Sequence, residues 1–177
     1  MPCARQRWLI LDSVSQAAAL HIDVDVSTQR MRVRAAGGVR EYAVSTAANG
    51  PGELMDSECT PRGRHVITEK IGAGLPVNAV LVGRRWTGEI YTPEMRAAEP
   101  GRDWILTRIL WLAGCEPGRN QGGNVDSRAR YIYIHGTPDD TDMAVPGSRG
   151  CIRMRNSDLL ELFERVDVDT PVDIHGG

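Results

Sequence analysis

A chain of 177 residues is long enough for one domain with a real core, and too short for two ordinary ones. Its apolar and charged fractions, 41% and 25%, are those of a soluble globular protein. A net charge of −2 excludes a global field strong enough to recruit nucleic acid or an anionic membrane.

In chain order, the opening "MPCARQRWLILDS" holds an apolar run, Trp8 to Leu11, far too short for a signal-peptide core or a membrane span. The segment from Val14 to Leu20 is short as well, and polar residues interrupt it. These readings lead to an expected cytoplasmic location, with the periplasm the alternative if an export segment has been removed.

Strand signals then dominate. "LHIDVDV" from Leu20 alternates apolar and polar residues at period two, and "MRVRA" continues the pattern after a turn at Ser27–Gln29. A turn at Gly37–Gly38 leads into "REYAVST", so the first sixty residues read as a β-meander. Gly, Pro, Asn and acidic residues mark a long surface loop from Ala47 to Gly63.

"RHVITEKIG" returns to strand, a turn follows at Gly72–Pro76, and "AVLVGRRW" and "WILTRILWLAG" are two further apolar strands. Residues 117–130 read as another loop, and "YIYIHG" as a strand ending at His135. "RNSDLLELFERV" is the main helix, with Asn156 or Ser157 as cap and Leu159, Leu160, Leu162, Phe163 and Val166 as its apolar face. "TPVDIH" closes the chain with a strand. No repeat or linker divides the sequence. The expectation is one mainly-β domain over residues 1–177, a sandwich or barrel of short strands with one main helix.

The four cysteines, Cys3, Cys59, Cys115 and Cys151, contain no CxxC pair, which argues against a zinc site and for free thiols. One has unusual neighbours. "SRGCIRM" places Cys151 after Gly150, which lets the backbone bend so that nearby N–H groups face one point. Arg149 and Arg153 add positive potential, and a helix N-terminus a few residues later favours a thiolate. His135, sixteen residues earlier, is a base that approaches from a neighbouring strand. The carbonyl of Gly136 is a candidate to fix its tautomer. A lone histidine or a lone cysteine beside glycine is ordinarily inert, and it is their combination that points to nucleophilic catalysis. Ser148 shapes the turn rather than attacking. Other cysteine chemistries fit poorly: a Cys-x5-Arg loop would need arginine where Ser157 stands, and the papain-like order puts cysteine before histidine.

The stretch "IHGTP…PGSRGCIRMRNSDLLELFERVDVDTPVDI" resembles the L,D-transpeptidase (YkuD-type) catalytic domain, whose mark is a strand-end His-Gly, a loop, Ser-x-Gly-Cys, a helix and a last strand. "VST" at Val44–Thr46, "TPRG" at Thr60–Gly63 and "ILWL" at Ile109–Leu112 also resemble family segments. The resemblance implies a β-sandwich-like fold with Cys151 as nucleophile and His135 as base. It implies a peptidoglycan stem peptide or muropeptide as substrate, cut between the L-centre of diaminopimelate and the terminal D-alanine. Arg149 stands where many members have histidine, a departure that bears on substrate positioning more than on acylation.

Of the 21 basic residues all but Lys70 are arginine, and Arg128, Arg130, Arg149, Arg153 and Arg155 flank the motif. Arg149 and Arg153 are the expected carboxylate binders, through the guanidinium fork, and the other three are expected to be solvated. "DDTD" at Asp139–Asp142 reads as a solvated loop, and no metal or cofactor is implied. With no export segment in view, hydrolytic release of D-alanine from recycled muropeptides is the expected outcome. Cross-linking transpeptidation and non-catalytic peptide binding are the alternatives.

Overall fold

The period-two segments fold as strands with their apolar members turned inward. β1 (His21–Asp25) buries Ile22 and Val24, and β2 (Arg30–Ala35) buries Met31 and Val33. β3 (Gly38–Ala43) completes the meander as an antiparallel edge. In this computed structural model the described residues are 19–177; Cys3, the run Trp8–Leu11 and the start of the 14–20 segment lie outside them.

β4 (Gly63–Ile71), β5 (Ala79–Val82), β6 (Arg85–Ile90) and β7 (Leu106–Gly114) follow, then β8 (Tyr133–Thr137), β9 (Ile152–Arg155) and β10 (Pro171–His175). Hydrogen bonding joins them in the order β3-β2-β1-β10-β4-β7-β5-β6, and β8 pairs with β7 and with β9. β1–β10 and β8–β9 are the parallel pairs. The sheet curls until its two ends share one core. Ile22, Val24, Met31 and Val33 from the meander pack in the same cluster as Ile134, Ile152 and Met154, with Leu159, Leu162 and Phe163 of helix α2 (Asn156–Arg165). This is the mainly-β, sandwich-like arrangement expected, with one main helix. Among the described residues no helix is long and apolar enough to cross a membrane.

Three local expectations are corrected, and one short element carried no reading. "AVLVGRRW" is two strands rather than one: Gly83 and Arg84 both take positive φ, and that two-residue turn closes a β5–β6 hairpin. A short helix, α1 (Pro93–Ala98), starts at Thr-Pro-Glu and buries no side chain, so it leaves no apolar stripe to read. Asn156 does not cap α2. Its amide is buried and donates to Thr137 O and Asn78 Oδ1, while its Oδ1 accepts from Thr107 Oγ1. Finally, His135 is not at a strand tip. β8 continues to Thr137 because it has pairing partners on both edges.

Loop 117–130 is tied down from within. Asn120 donates to the carbonyls of Arg62 and Arg64, and Ser127 Oγ meets His65 Nε2 at 2.9 Å.

Candidate active site

β8 and β9 run parallel in a register that sets Ile134 beside Ile152 and His135 beside Arg153. Cys151, one residue ahead of β9, therefore stands next to Tyr133. Strand spacing and rise put its Cα roughly 8 Å diagonally from that of His135, on the same face of the sheet. The fold thus brings the two singled-out residues together.

The bend at Gly150 has φ of +127°, a region that favours glycine, and a Cβ there would lie 3.2 Å from Cys59 O. Ser148 closes the turn: its hydroxyl donates to Cys151 O at 2.5 Å and accepts from Gly150 N–H at 3.2 Å. The Gly150 amide is thereby used within the turn itself. Thr60 Oγ1 donates to Gly150 O at 2.9 Å, fixing the turn from outside.

His135 is fully buried, and its Nδ1 is 2.7 Å from Gly136 O, as the tautomer argument expects. With Nδ1 donating, Nε2 is the free acceptor, and it has no hydrogen-bond partner. Opposite this pair β7 is irregular. Its register jumps between Leu106, paired with Gly136, and Ile109, paired with His135, and Thr107 in the bulge has φ of +73°. Gly136 has no room for a side chain, since a Cβ would overlap Leu106 O and Asn156 Oδ1. A bulge at this place re-aims backbone beside the candidate base.

The thiol is partly buried, and its Sγ sits 3.4 Å from Tyr133 N–H and 3.4 Å from Tyr131 O. Burial pushes its pKa up to about 12, only partly opposed by the Tyr133 N–H, Arg153 and Arg130. The expectation of a helix-activated thiolate is corrected here. β9 separates Cys151 from the start of α2, and a helix dipole falls off within its first turn. Burial also lowers the pKa of His135, against the raising effects of Asp103 and Gly136 O. Both shifts favour the neutral forms, thiol and imidazole, at neutral pH.

Two clefts share Arg149. One, about 210 Å³, includes Arg153, the strand neighbour of His135, with Asp103, Thr137 and Thr141. The other, about 230 Å³, lies on the Tyr131 side and includes Met55, Glu58 and Arg130. Arg149 is exposed, with only a 3.4 Å contact to Gly101 O. Arg153 is committed to the cleft wall: its fork binds Asp103 Oδ1 at 2.8 Å and Gly147 O at 2.9 Å. Arg130 is not the solvated group expected, because it donates to the carbonyls of Gly52, Glu53 and Cys59 and clamps loop 52–59 beside the nucleophile turn. Arg128 pairs with Glu69 at 2.6 Å and lies over Trp111, and Arg155 reaches Asp139 O from the surface. In "DDTD", Asp140 pairs with Arg96 at 2.7 Å. Asp103 carried no sequence signal, since it is one acid in a short Gly/Pro loop.

The family model described as the L,D-transpeptidase catalytic domain (YkuD) matches residues 19–174. The probable L,D-transpeptidase YbiS of Escherichia coli K12 is 32% identical over 106 residues, 58% of this chain and 34% of that protein. The chain thus spans about a third of that relative's length. The L,D-transpeptidase of Xylanimonas cellulosilytica shares the fold at a TM-score of 0.54 with 15% identity, over 94% of this chain and 65% of that one. L,D-transpeptidase 3 of Mycobacterium tuberculosis, in complex with a faropenem-derived adduct, gives 0.55 with 14% identity over 89% and 60%. The match covers both parallel strands, the Ser148–Cys151 turn and the bulged β7 behind His135, and on that extent the chain belongs to the YkuD family of L,D-transpeptidase catalytic domains.

Proposed function

We propose that this domain cleaves the bond between diaminopimelate and the terminal D-alanine of peptidoglycan tetrapeptide stems, through an acyl-enzyme on Cys151. The observation that carries the reading is the unpartnered Nε2 of His135, held as an acceptor by the Nδ1–Gly136 bond and set diagonally from the thiol. Nε2 takes the thiol proton as sulfur attacks the diaminopimelate carbonyl, then gives it to the leaving amine of D-alanine as the C–N bond breaks. Arg149, exposed and lining both clefts, takes a substrate carboxylate through its guanidinium fork. Arg153 and Ser148 shape the wall and the turn around it.

Water is the proposed acceptor of the acyl group, giving L,D-carboxypeptidase action. The cleft beside Arg153 is lined by Arg96, Arg102, Asp103, Thr137, Thr141 and Arg153, a polar wall suited to water as the acceptor. His135 would then take a proton from that water, hydroxide would add to the thioester, and the departing sulfur would recover the proton. The second cleft supports the other reading, an amine of a second stem as acceptor and a cross-link as product.

Mass spectrometry of a tetrapeptide stem incubated with a second amine-bearing stem decides between them. Loss of one alanine without dimer supports hydrolysis, and dimer accumulation supports transfer. Cys151→Ala should show neither, together with loss of the covalent adduct that a carbapenem forms. Tetrapeptide bound with unchanged affinity by both forms, with no adduct on either, would replace the proposal by non-catalytic binding.

A further inference from the structure

Beside the candidate base lies a carboxylate that neither the motif nor the hydrogen bond to Gly136 calls for. Asp103 sits in the loop leading into β7, and the antiparallel β7–β8 pairing carries that loop to the Gly136 side of His135. Arg153, directly beside His135 in the β8–β9 register, holds Asp103 Oδ1 at 2.8 Å. The pair is largely screened from water, with Asp103 and Arg153 side chains 30% and 17% exposed. Asp103 and Arg153 line one cleft, and the buried Nε2 of His135 and Nε of Arg153 both lack hydrogen-bond partners.

We infer that Asp103 is a positioning residue for His135: held by Arg153, its carboxylate stabilises the imidazolium that forms when Cys151 gives up its proton. The inference rests on His135 acting as the base in the proposed reaction. Gly136 O fixes the tautomer but carries no net charge, whereas a carboxylate in a partly desolvated wall offsets a developing positive charge directly. The charged groups acting on His135 are Asp103 from the loop and Arg153 from β9, and the same two act on Cys151 at the turn. Asp103 favours the imidazolium and Arg153 opposes it. Burial would raise the Asp103 pKa, but Arg153, through its charge and its hydrogen bond, and the charge of Arg149 hold it below the usual carboxylate range, so it is anionic at neutral pH. It also disfavours the Cys151 thiolate. The loop acid therefore biases the site against a resting thiolate and toward proton transfer in step with attack.

The test is the titration of the His135 ring by NMR in the wild type, Asp103→Asn and Asp103→Glu, together with the pH profile of carbapenem acylation. In Asp103→Asn the ring should titrate lower. The acid limb of acylation should follow it downward, and the plateau rate should fall by roughly ten-fold or more. Asp103→Glu, which keeps the charge, should restore both. A folded Asp103→Asn protein with an unmoved His135 titration and profile would overturn the inference. If the variants do not fold, the wild type alone decides. The side-chain carboxyl carbon of Asp103 should show an inflection at the pH where His135 titrates, and its absence would overturn the inference equally. The ring titration needs no peptidoglycan, so an intact Asp103–His135 coupling with no tetrapeptide cleavage would sink only the proposed reaction.

Discussion

Thr60 Oγ1 donates to Gly150 O across a sequence separation of 90 residues and, at 3.0 Å, accepts from Ala47 N–H, so one buried hydroxyl ties two distant segments together. Thr60→Val keeps the shape and removes both bonds. It should cost about 1–3 kcal/mol in denaturant unfolding, because a buried donor and a buried acceptor lose their partner. Carbapenem acylation of Cys151 should slow as well, since the turn loses its outer anchor. Unchanged stability would mean that water replaces the hydroxyl.

Gly150 has both a positive φ and a crowded α-carbon. Gly150→Ala should destabilise by about 1–3 kcal/mol and slow acylation by displacing Cys151. A paired measurement of melting and intact-mass labelling checks it. A variant that melts like the wild type and labels at the same rate would show that the bend is not enforced.

The thiol value predicts an unusual reactivity profile. With Cys151 held at about 12 by burial, its alkylation by iodoacetamide should be slow at neutral pH and still rising well above 9.0, where an ordinary thiol levels off. Peptide mapping separates this signal from that of Cys59. A plateau near neutrality would instead reveal a preformed thiolate.

His65 gives a stability prediction away from the site. Buried between Gly63 O and Ser127 Oγ, it titrates at about 4 in the fold against 6.5 when unfolded. Between those values the unfolded chain binds the extra proton. Stability is therefore full above 6.5 and drains as pH falls toward 4, by roughly 3 kcal/mol in all. Urea unfolding across that range should show the loss, and His65→Gln should flatten it. A wild-type curve without slope there would contradict the assignment.

Much of this could be read from the residues, for physical reasons that differ by element. Strands such as His21–Asp25 and Arg30–Ala35 bury alternate residues, so their pattern survives in the sequence. The turn "SRGC" was legible because Ser and Gly act locally there, on Cys151 O and at a positive φ. What stayed hidden depends on contacts between distant segments. Arg130 looked solvated because nothing nearby in sequence shows that three carbonyls of loop 52–59 will gather around it. Asn156 looked like a cap because its partners, Thr107 and Asn78, lie 49 and 78 residues away in sequence. Asp103 comes to the neighbourhood of His135 through the β7–β8 pairing and its bond to Arg153, neither of which is local in sequence.

The parallel pairing of β8 with β9 obliges the chain to leave one end of the strand pair and travel back to the other before it can continue. Residues 138–151 make that return, and on the way Pro138, Thr141, Gly147 and Arg149 become one side of the cleft. The distance between base and thiol is set by the two strands, while the outline of what reaches them is set by the return path. Insertions or substitutions at 138–147, ahead of the nucleophile turn, would remodel recognition and leave the reacting atoms where they are. Reactivity and selectivity are in this way written into separate stretches of the same short segment.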